Sequence, residues 1–109
     1  MIQETLRDSD IAARYGGEEY IALLPETNKE RGVEAGERIR QAVQAAAFTA
    51  SVHDSSLKTH ITISIGVANF PNDANTTTHL IDHADIALYH AKQTGRNRVC
   101  GFTATMHDE

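Results

Sequence analysis

The 109-residue chain has one cysteine, two prolines, no tryptophan, three phenylalanines and three tyrosines. A lone cysteine, Cys100, cannot close an internal disulfide or supply a metal-ligand set, so the composition reads as that of a reducing compartment. No uninterrupted apolar run approaches membrane-spanning length, and the opening Met-Ile-Gln-Glu-Thr-Leu-Arg lacks the basic-then-apolar order of a signal peptide. The expectation is a soluble, cytoplasmic segment with no membrane contact of its own, even if a parent protein is membrane-anchored. Positive charge is scarce: 10 Lys+Arg stand against 15 Asp+Glu, for a formal charge of −5. That is the wrong sign for holding a nucleic-acid polymer by its phosphates, so any phosphate contact must be local. Large apolar side chains are also few, because 15 of the residues in the 40% hydrophobic fraction are alanine. The length suits one domain and excludes a two-domain enzyme or a long repeat array, yet the core promises to be thin for a free-standing one.

Local patterning predicts the following order. Residues 1–6 carry helix formers without a start signal and read as the last turns of a helix. Residues 11–15 and 20–24 are short apolar stretches around Gly16-Gly17-Glu18-Glu19, the composition of a β-hairpin. Thr27-Asn28-Lys29-Glu30 has the form of a capping box, and Val33, Gly36, Ile39, Val43 and Ala46 follow at helical spacing, predicting a helix over 28–46. Residues 60–67 alternate Ile61, Ile63, Ile65 and Val67 with His60, Thr62, Ser64 and Gly66, a strand covered on one side. After a loop over 71–77, Leu80, Ile81, Ala84, Ala87, Leu88 and Ala91 predict a helix that stops at Gly95, followed by a short strand over 98–102. Strands and helices in this order imply an α+β fold, with helices packed on one face of a mainly antiparallel sheet of the split βαβ type.

Gly16-Gly17-Glu18-Glu19-Tyr20 is the segment richest in chemistry. Bare glycines let a backbone approach a phosphate, and adjacent carboxylates offer hard oxygen ligands to Mg²⁺. Taken alone, the five residues read equally as a tight hairpin with solvated acids. Lys92 and Arg96 near a helix end could simply offset its dipole. Arg7-Asp8-Ser9-Asp10 could be an exposed ion pair, and Arg38 could pair with Glu34. His79 and His83 stand at i, i+4, but no third ligand has a predictable place beside them, and a polar helix face accounts for both.

The surroundings of the hairpin add a resemblance. Ser9-Asp10-Ile11-Ala12-Ala13-Arg14-Tyr15-Gly16-Gly17-Glu18-Glu19-Tyr20, then Glu37-Arg38-Ile39-Arg40, Thr62-Ile63-Ser64-Ile65-Gly66-Val67-Ala68, and Ala84-Asp85-Ile86-Ala87-Leu88-Tyr89-His90-Ala91-Lys92-Gln93-Thr94-Gly95-Arg96-Asn97-Arg98-Val99 together closely resemble the GGDEF family in order and spacing. Members are typically diguanylate cyclases, nucleotidyltransferases of bacterial second-messenger signalling that condense two GTP into cyclic di-GMP. The resemblance implies that Gly16 and Gly17 lie against the nucleotide phosphates. It implies that Glu18 binds Mg²⁺ (or Mn²⁺) and is the proposed base for the attacking ribose hydroxyl, with Glu19 the second acid beside it. Lys92 and Arg96 match the cations on the terminal phosphates. Arg7, Asp10 and Arg38 match an inhibitory product site for cyclic di-GMP. Tyr20 stands where phenylalanine is more usual, keeping the ring and adding a hydroxyl.

The same resemblance implies a ferredoxin-like, nucleotide-cyclase-type sheet whose first strand, with a metal-binding aspartate, and following helix, with guanine-reading residues, would precede residue 1. Residues 1–102 then correspond to the later part of a GGDEF domain and 103–109 to a polar tail. The expected function is catalysis by the complete domain, acting as a C₂ homodimer because cyclic di-GMP is twofold symmetric. The isolated segment is expected to be inactive. The alternative is a catalytically incomplete cyclic di-GMP receptor; intact Glu18, Glu19, Lys92 and Arg96 favour the enzyme, since a pure receptor has no use for them.

Overall fold

The computed structural model describes residues 11–16, 19–46, 48–52, 55–59 and 61–106. The helix end expected at 1–6, together with Arg7, Asp10, Gly17, Glu18 and the last residues of the tail, lies outside the described residues. Among the described residues the elements are, in order, β1 (Ile11–Gly16), β2 (Glu19–Leu23), α1 (Lys29–Ala45), β3 (Phe48–Val52), β4 (Ser55–Thr59), β5 (Ile65–Val67), α2 (Thr77–Gln93) and β6 (Val99–Gly101). The strands form three two-stranded sheets, β1–β2 and β3–β4 antiparallel and β5–β6 parallel.

Helix α1 starts at Asn28, whose side-chain oxygen accepts from the Arg31 amide at 2.8 Å. The capping box expected one residue earlier is therefore not the cap; the Thr27 hydroxyl instead donates to the Pro25 carbonyl at 2.9 Å. Extended backbone at Ala46 ends the helix. Helix α2 is capped by Thr76, whose hydroxyl oxygen accepts from the His79 amide at 3.1 Å.

Two expectations need correction. The strand expected over 60–67 is confined to β5, and Ile61 is 48% exposed. The alternation there is real, but residues 61–64 have no strand partner among the described residues. The connection between α1 and β5 holds the β3–β4 hairpin, which the polar composition of 51–59 conceals. Its register runs without a break from Phe48 opposite Thr59 to Val52 opposite Ser55.

The helices also do not share one face of the sheet. A Cβ on Gly36 of α1 would meet Val99 and Ile65 side chains at 3.1 and 3.4 Å, whereas a Cβ on Gly66 would overlap the α2 backbone at Ala84 and Leu88. Neighbouring strand positions point to opposite faces, so α1 covers one face of β5–β6 and α2 the other. The reason is the parallel pairing: a crossover helix must join β5 to β6 in the βαβ manner, and it lies on the side away from α1.

The core is as thin as the composition implies. Ala35, Ile39 and Val43 of α1, Ala87 and Ala91 of α2, Ala74 and Phe102 are its buried apolar members among the described residues, and no large side chain there is fully enclosed. Polar ties supplement it. Lys29 donates to Asp73 Oδ1 at 2.8 Å and to the Phe102 carbonyl at 2.7 Å, while Asp73 Oδ2 accepts from the Asn69 amide at 2.8 Å. His83 meets the Asp73 carbonyl through Nδ1 and stacks on Phe102 with ring centroids 4.2 Å apart.

The contact at Gly66 generates a stability prediction. Gly66→Ala forces α2 off the sheet and should cost about 1–3 kcal/mol, the usual penalty of overpacking. Gly32→Ala is the matched control: its Cβ meets only a Val67 methyl at 3.1 Å, and helix propensity favours alanine by about 0.8–1.0 kcal/mol. Hydrogen exchange of α2 amides in the full-length protein measures both. Equal protection in Gly66→Ala and the parent would show that the helix does not rest on this glycine.

Candidate functional site

The hairpin end is defined by its backbone. Gly16 pairs with Glu19, and the register shifts between Arg14 and Gly16, so strand pairing is irregular just where the glycines begin. Glu19 thus opens β2, with Gly17 and Glu18, outside the described residues, between it and Gly16. Among the described residues no group of three or more His, Cys, Asp or Glu side chains converges on a metal position.

The two cations expected at the site, Lys92 and Arg96, come from the end of α2. Lys92 lies in the last turn and Arg96 just beyond it. Ala87 and Ala91 are fully buried, which turns Lys92, the next residue, outward. The helix stops where the sequence predicts, and the stop has a defined geometry. The Thr94 amide donates to the His90 carbonyl at 3.0 Å and the Arg96 amide reaches back to the Ala91 carbonyl at 2.9 Å. This six-to-one closure is a Schellman motif with Gly95 at φ 134°. Arg96 and Asn97 then adopt left-handed φ values of 60° and 49°. A side chain on Gly95 would run into the Arg98 guanidinium, which folds back so that Nε donates to the Arg96 carbonyl at 3.2 Å. Lys92 and Arg96 are themselves exposed, and their charged ends have no partner among the described residues.

Asn97 anchors the turn on its other side. Its amide donates to Ser64 Oγ at 3.1 Å, and its side-chain oxygen accepts from Arg40 Nη1 at 2.9 Å. Arg40 forks onto Glu37, with Nε and Nη2 each 2.6 Å from a carboxylate oxygen. Those donors, with a further bond from Gln41, hold the Glu37 carboxyl below its ordinary 4.5, and the same pairing raises Arg40. Sequence reasoning singles out the segments carrying Arg40, Ser64 and Asn97 but gives these three residues no role. The available signal is the Gly-Arg-Asn run directly after a helix, since asparagine tolerates the left-handed region better than most residues.

Arg38 is exposed on α1 and lines a groove of about 270 Å³ with Leu24, Asn28, Arg31 and Glu34. No ion pair joins Arg38 to Glu34. The structure therefore places Lys92 in the last turn of α2 and Arg96 in the turn after it, pairs Gly16 with Glu19 across β1 and β2, and sets Arg38 in the middle of α1. The histidine pair has a structural use: His79 and His83 stack with centroids 6.2 Å apart, and His83 is engaged with Asp73 and Phe102.

Comparison with known proteins bears on what this arrangement is. The model of the family described as "Diguanylate cyclase, GGDEF domain" matches residues 1–98. Diguanylate cyclase A of Treponema denticola is 40% identical over 99 residues, covering 91% of this chain and 26% of that protein. The chain spans about a quarter of the length of the curated relatives it matches first. The active GGEEF domain of a diguanylate cyclase from Vibrio cholerae superposes with a TM-score of 0.82 at 30% identity, over 95% of this chain and 63% of that one. The GGDEF domain of DgcB from Caulobacter crescentus, solved in complex with c-di-GMP, gives 0.80 at 32% identity over 92% and 57%. With residues 1–98 matched by the family model, strands β1 and β2 paired around the glycine segment and the Lys-x-x-x-Arg turn closed at the end of α2, the chain belongs to the GGDEF family.

Proposed function

We propose that this chain is the later part of a diguanylate cyclase domain, which joins two GTP molecules into cyclic di-GMP with release of two pyrophosphates. The observation that carries the reading is a pair of exposed cations, Lys92 and Arg96, on a turn fixed by hydrogen bonds and left without partners among the described residues, in a chain of this family. In each half-reaction a ribose 3′-hydroxyl attacks the α-phosphorus of the other nucleotide, and the bond to pyrophosphate breaks. Such transfer depends on positioning and charge neutralisation more than on a covalent nucleophile.

Each residue has a chemical task in that step. Gly16 and Gly17 let the hairpin backbone approach the phosphates. Glu18 and Glu19 offer hard carboxylate oxygens, the donor type that suits Mg²⁺ or Mn²⁺. A bound divalent ion supplies charge neutralisation at the phosphate oxygens. Glu18 further accepts the hydroxyl proton, and Lys92 and Arg96 meet the terminal phosphates as negative charge gathers on the leaving group. The twofold product calls for two such half-sites facing each other, hence a homodimer. The complete domain has the ferredoxin-like sheet of nucleotide cyclases, with a further strand contributing the remaining metal ligand. The location is the cytoplasm, where GTP is available; among the described residues no helix is long and apolar enough to cross a membrane.

Cyclic di-GMP also returns as an inhibitor at Arg7, Asp10 and Arg38. The support for this part is that Arg38 is exposed in a groove and not consumed by Glu34. Arginine's planar fork suits bidentate contacts to a phosphate or a guanine edge.

Two experiments on the full-length protein test these assignments. Glu18→Gln should lower kcat for cyclic di-GMP formation by about a hundredfold or more while the fold survives, because the lost charge acts on the transition state. Near-normal turnover would reduce the hairpin to a structural turn. Arg7→Ala should weaken cyclic di-GMP binding in calorimetry and relieve product inhibition, with initial rates at low product unchanged within about twofold, given that effector couplings are usually about 1–3 kcal/mol. Identical affinities in the two proteins would remove Arg7 and Asp10 from any product site.

A further inference from the structure

Helix α1 carries an arginine that the reaction as described leaves without a task. The Arg40 side chain is only 14% exposed, less than its partner Glu37 at 40%. Four of its five N–H donors are engaged: Glu37 takes one each from Nε and Nη2, while Nη1 serves both Gln44 and Asn97 at 2.9 Å each. The Glu37 and Gln44 bonds stay inside α1. The Asn97 bond leaves the helix and reaches the turn that follows α2.

That bond lands on a residue with little freedom left. The Asn97 amide is held by Ser64, just ahead of β5, and its backbone sits in the left-handed region. Asn97 is covalently next to Arg96, whose own amide is fixed by Ala91 and whose carbonyl is fixed by Arg98. The backbone of Arg96 is therefore tied on every side while its guanidinium is free among the described residues. Consecutive left-handed residues after glycine are strained for L-amino acids and persist only where surrounding bonds over-determine them. Three elements supply those bonds here: α1 through Arg40, the segment before β5 through Ser64, and α2 through Ala91.

We infer that Arg40 is a positioning residue, which acts through Asn97 to hold the left-handed turn that aims Arg96. The inference rests on the reading of Arg96 as a phosphate contact. A simple surface ion pair at i, i+3 would need Glu37 alone and would contribute little; the bond across to Asn97 is what that account leaves unused. Lysine cannot substitute, because one ammonium cannot fork onto a carboxylate and reach a third group in the same plane. Placement matters because a small displacement of a contact group can cost a large factor in rate.

The test uses the full-length protein, reading kcat/KM for GTP and the Kd of a non-hydrolysable GTP analogue. Arg40→Ala and Arg40→Lys should each lower kcat/KM by about tenfold, mainly through weaker nucleotide binding, and Asn97→Ala should do the same. Asn97→Asp, whose carboxylate still accepts from Arg40 and tolerates the left-handed backbone, should recover most of that loss. The decisive combination is Arg40→Ala in an Arg96→Ala background. A residue acting through Arg96 should then cost less than about twofold more, since the two losses are not independent. Full additivity, or parental values for Arg40→Ala alone, overturns the positioning role. Parental values for Arg96→Ala would instead sink the phosphate contact itself, so the two failures are distinct. If Arg40→Ala does not fold, the Asn97 pair decides the question by itself: no difference between Asn97→Ala and Asn97→Asp overturns the inference.

Discussion

The approach of α2 to β5 at Gly66 is the constraint on which the packing of the helices on β5 and β6 depends. No side chain fits between strand and helix there, because the helix backbone at Ala84 and Leu88 already occupies the space. This contact sets the helix's distance from the sheet and its rotation, and Ala87 and Ala91 complete the buried stripe at helical spacing. Once that stripe is fixed, Lys92 must face away from the sheet. Ala91 then serves twice, as a buried methyl and as the carbonyl that closes the helix through the Arg96 amide. A glycine in a strand and two alanines in a helix therefore decide which way Lys92 faces and where the turn that carries Arg96 begins.

Helix α1 is held at two places by polar bonds in addition to its buried Ile39 and Val43. Lys29, at its start, ties to Asp73 and Phe102; Arg40, near its end, ties to Asn97. The two are separated by roughly 16 Å along the helix at 1.5 Å per residue, so together they fix its direction as well as its position. The Asp73 side chain is only 9% exposed with both carboxylate oxygens engaged. Removing Lys29 would leave a mostly buried carboxylate short of a partner, which costs more than the pair contributes. A core of alanines with few large residues makes such ties more consequential than they would be in a larger domain.

The elements legible in the sequence are those whose signal is local. Both helices have their apolar spacing there, the first also has a capping sequence, and Gly95 marks the second stop correctly; the Thr76 cap of the second falls in the stretch read as loop. The cap of α1 lies one residue from the expected position because Thr27 and Asn28 are both competent, and only the direction of the Asn28 side chain separates them. The β3–β4 hairpin is hidden because Ser51, Ser55, Ser56 and Lys58 give it no apolar alternation, and its pairing is a relation between two segments. The opposite placement of the helices is hidden for the same reason: parallel pairing of β5 with β6 is not written in either strand. At the site, glycines, acids and cations are legible by type and spacing. The strut through Arg40, Asn97 and Ser64 is not, since it joins three segments far apart in the chain.

Among the described residues, pairing separates the cations that hold the fold from those left open to solvent, Arg38 among the latter. The chain is acidic overall, so its basic residues are few. Folding takes up Lys29 and Arg40 into pairs that hold elements together. Among the described residues it leaves Lys92 and Arg96 unpaired at the end of α2, where a helix C-terminus already favours positive charge. An unpaired cation on a mobile side chain says little, because solvent satisfies it. Arg96 differs in that its backbone is fixed by Ala91, Arg98 and, through Asn97, by Arg40. Order has been imposed on the backbone of a residue whose charged end is left open, and under the proposed function a polyanionic ligand such as a nucleoside triphosphate gives that arrangement a use.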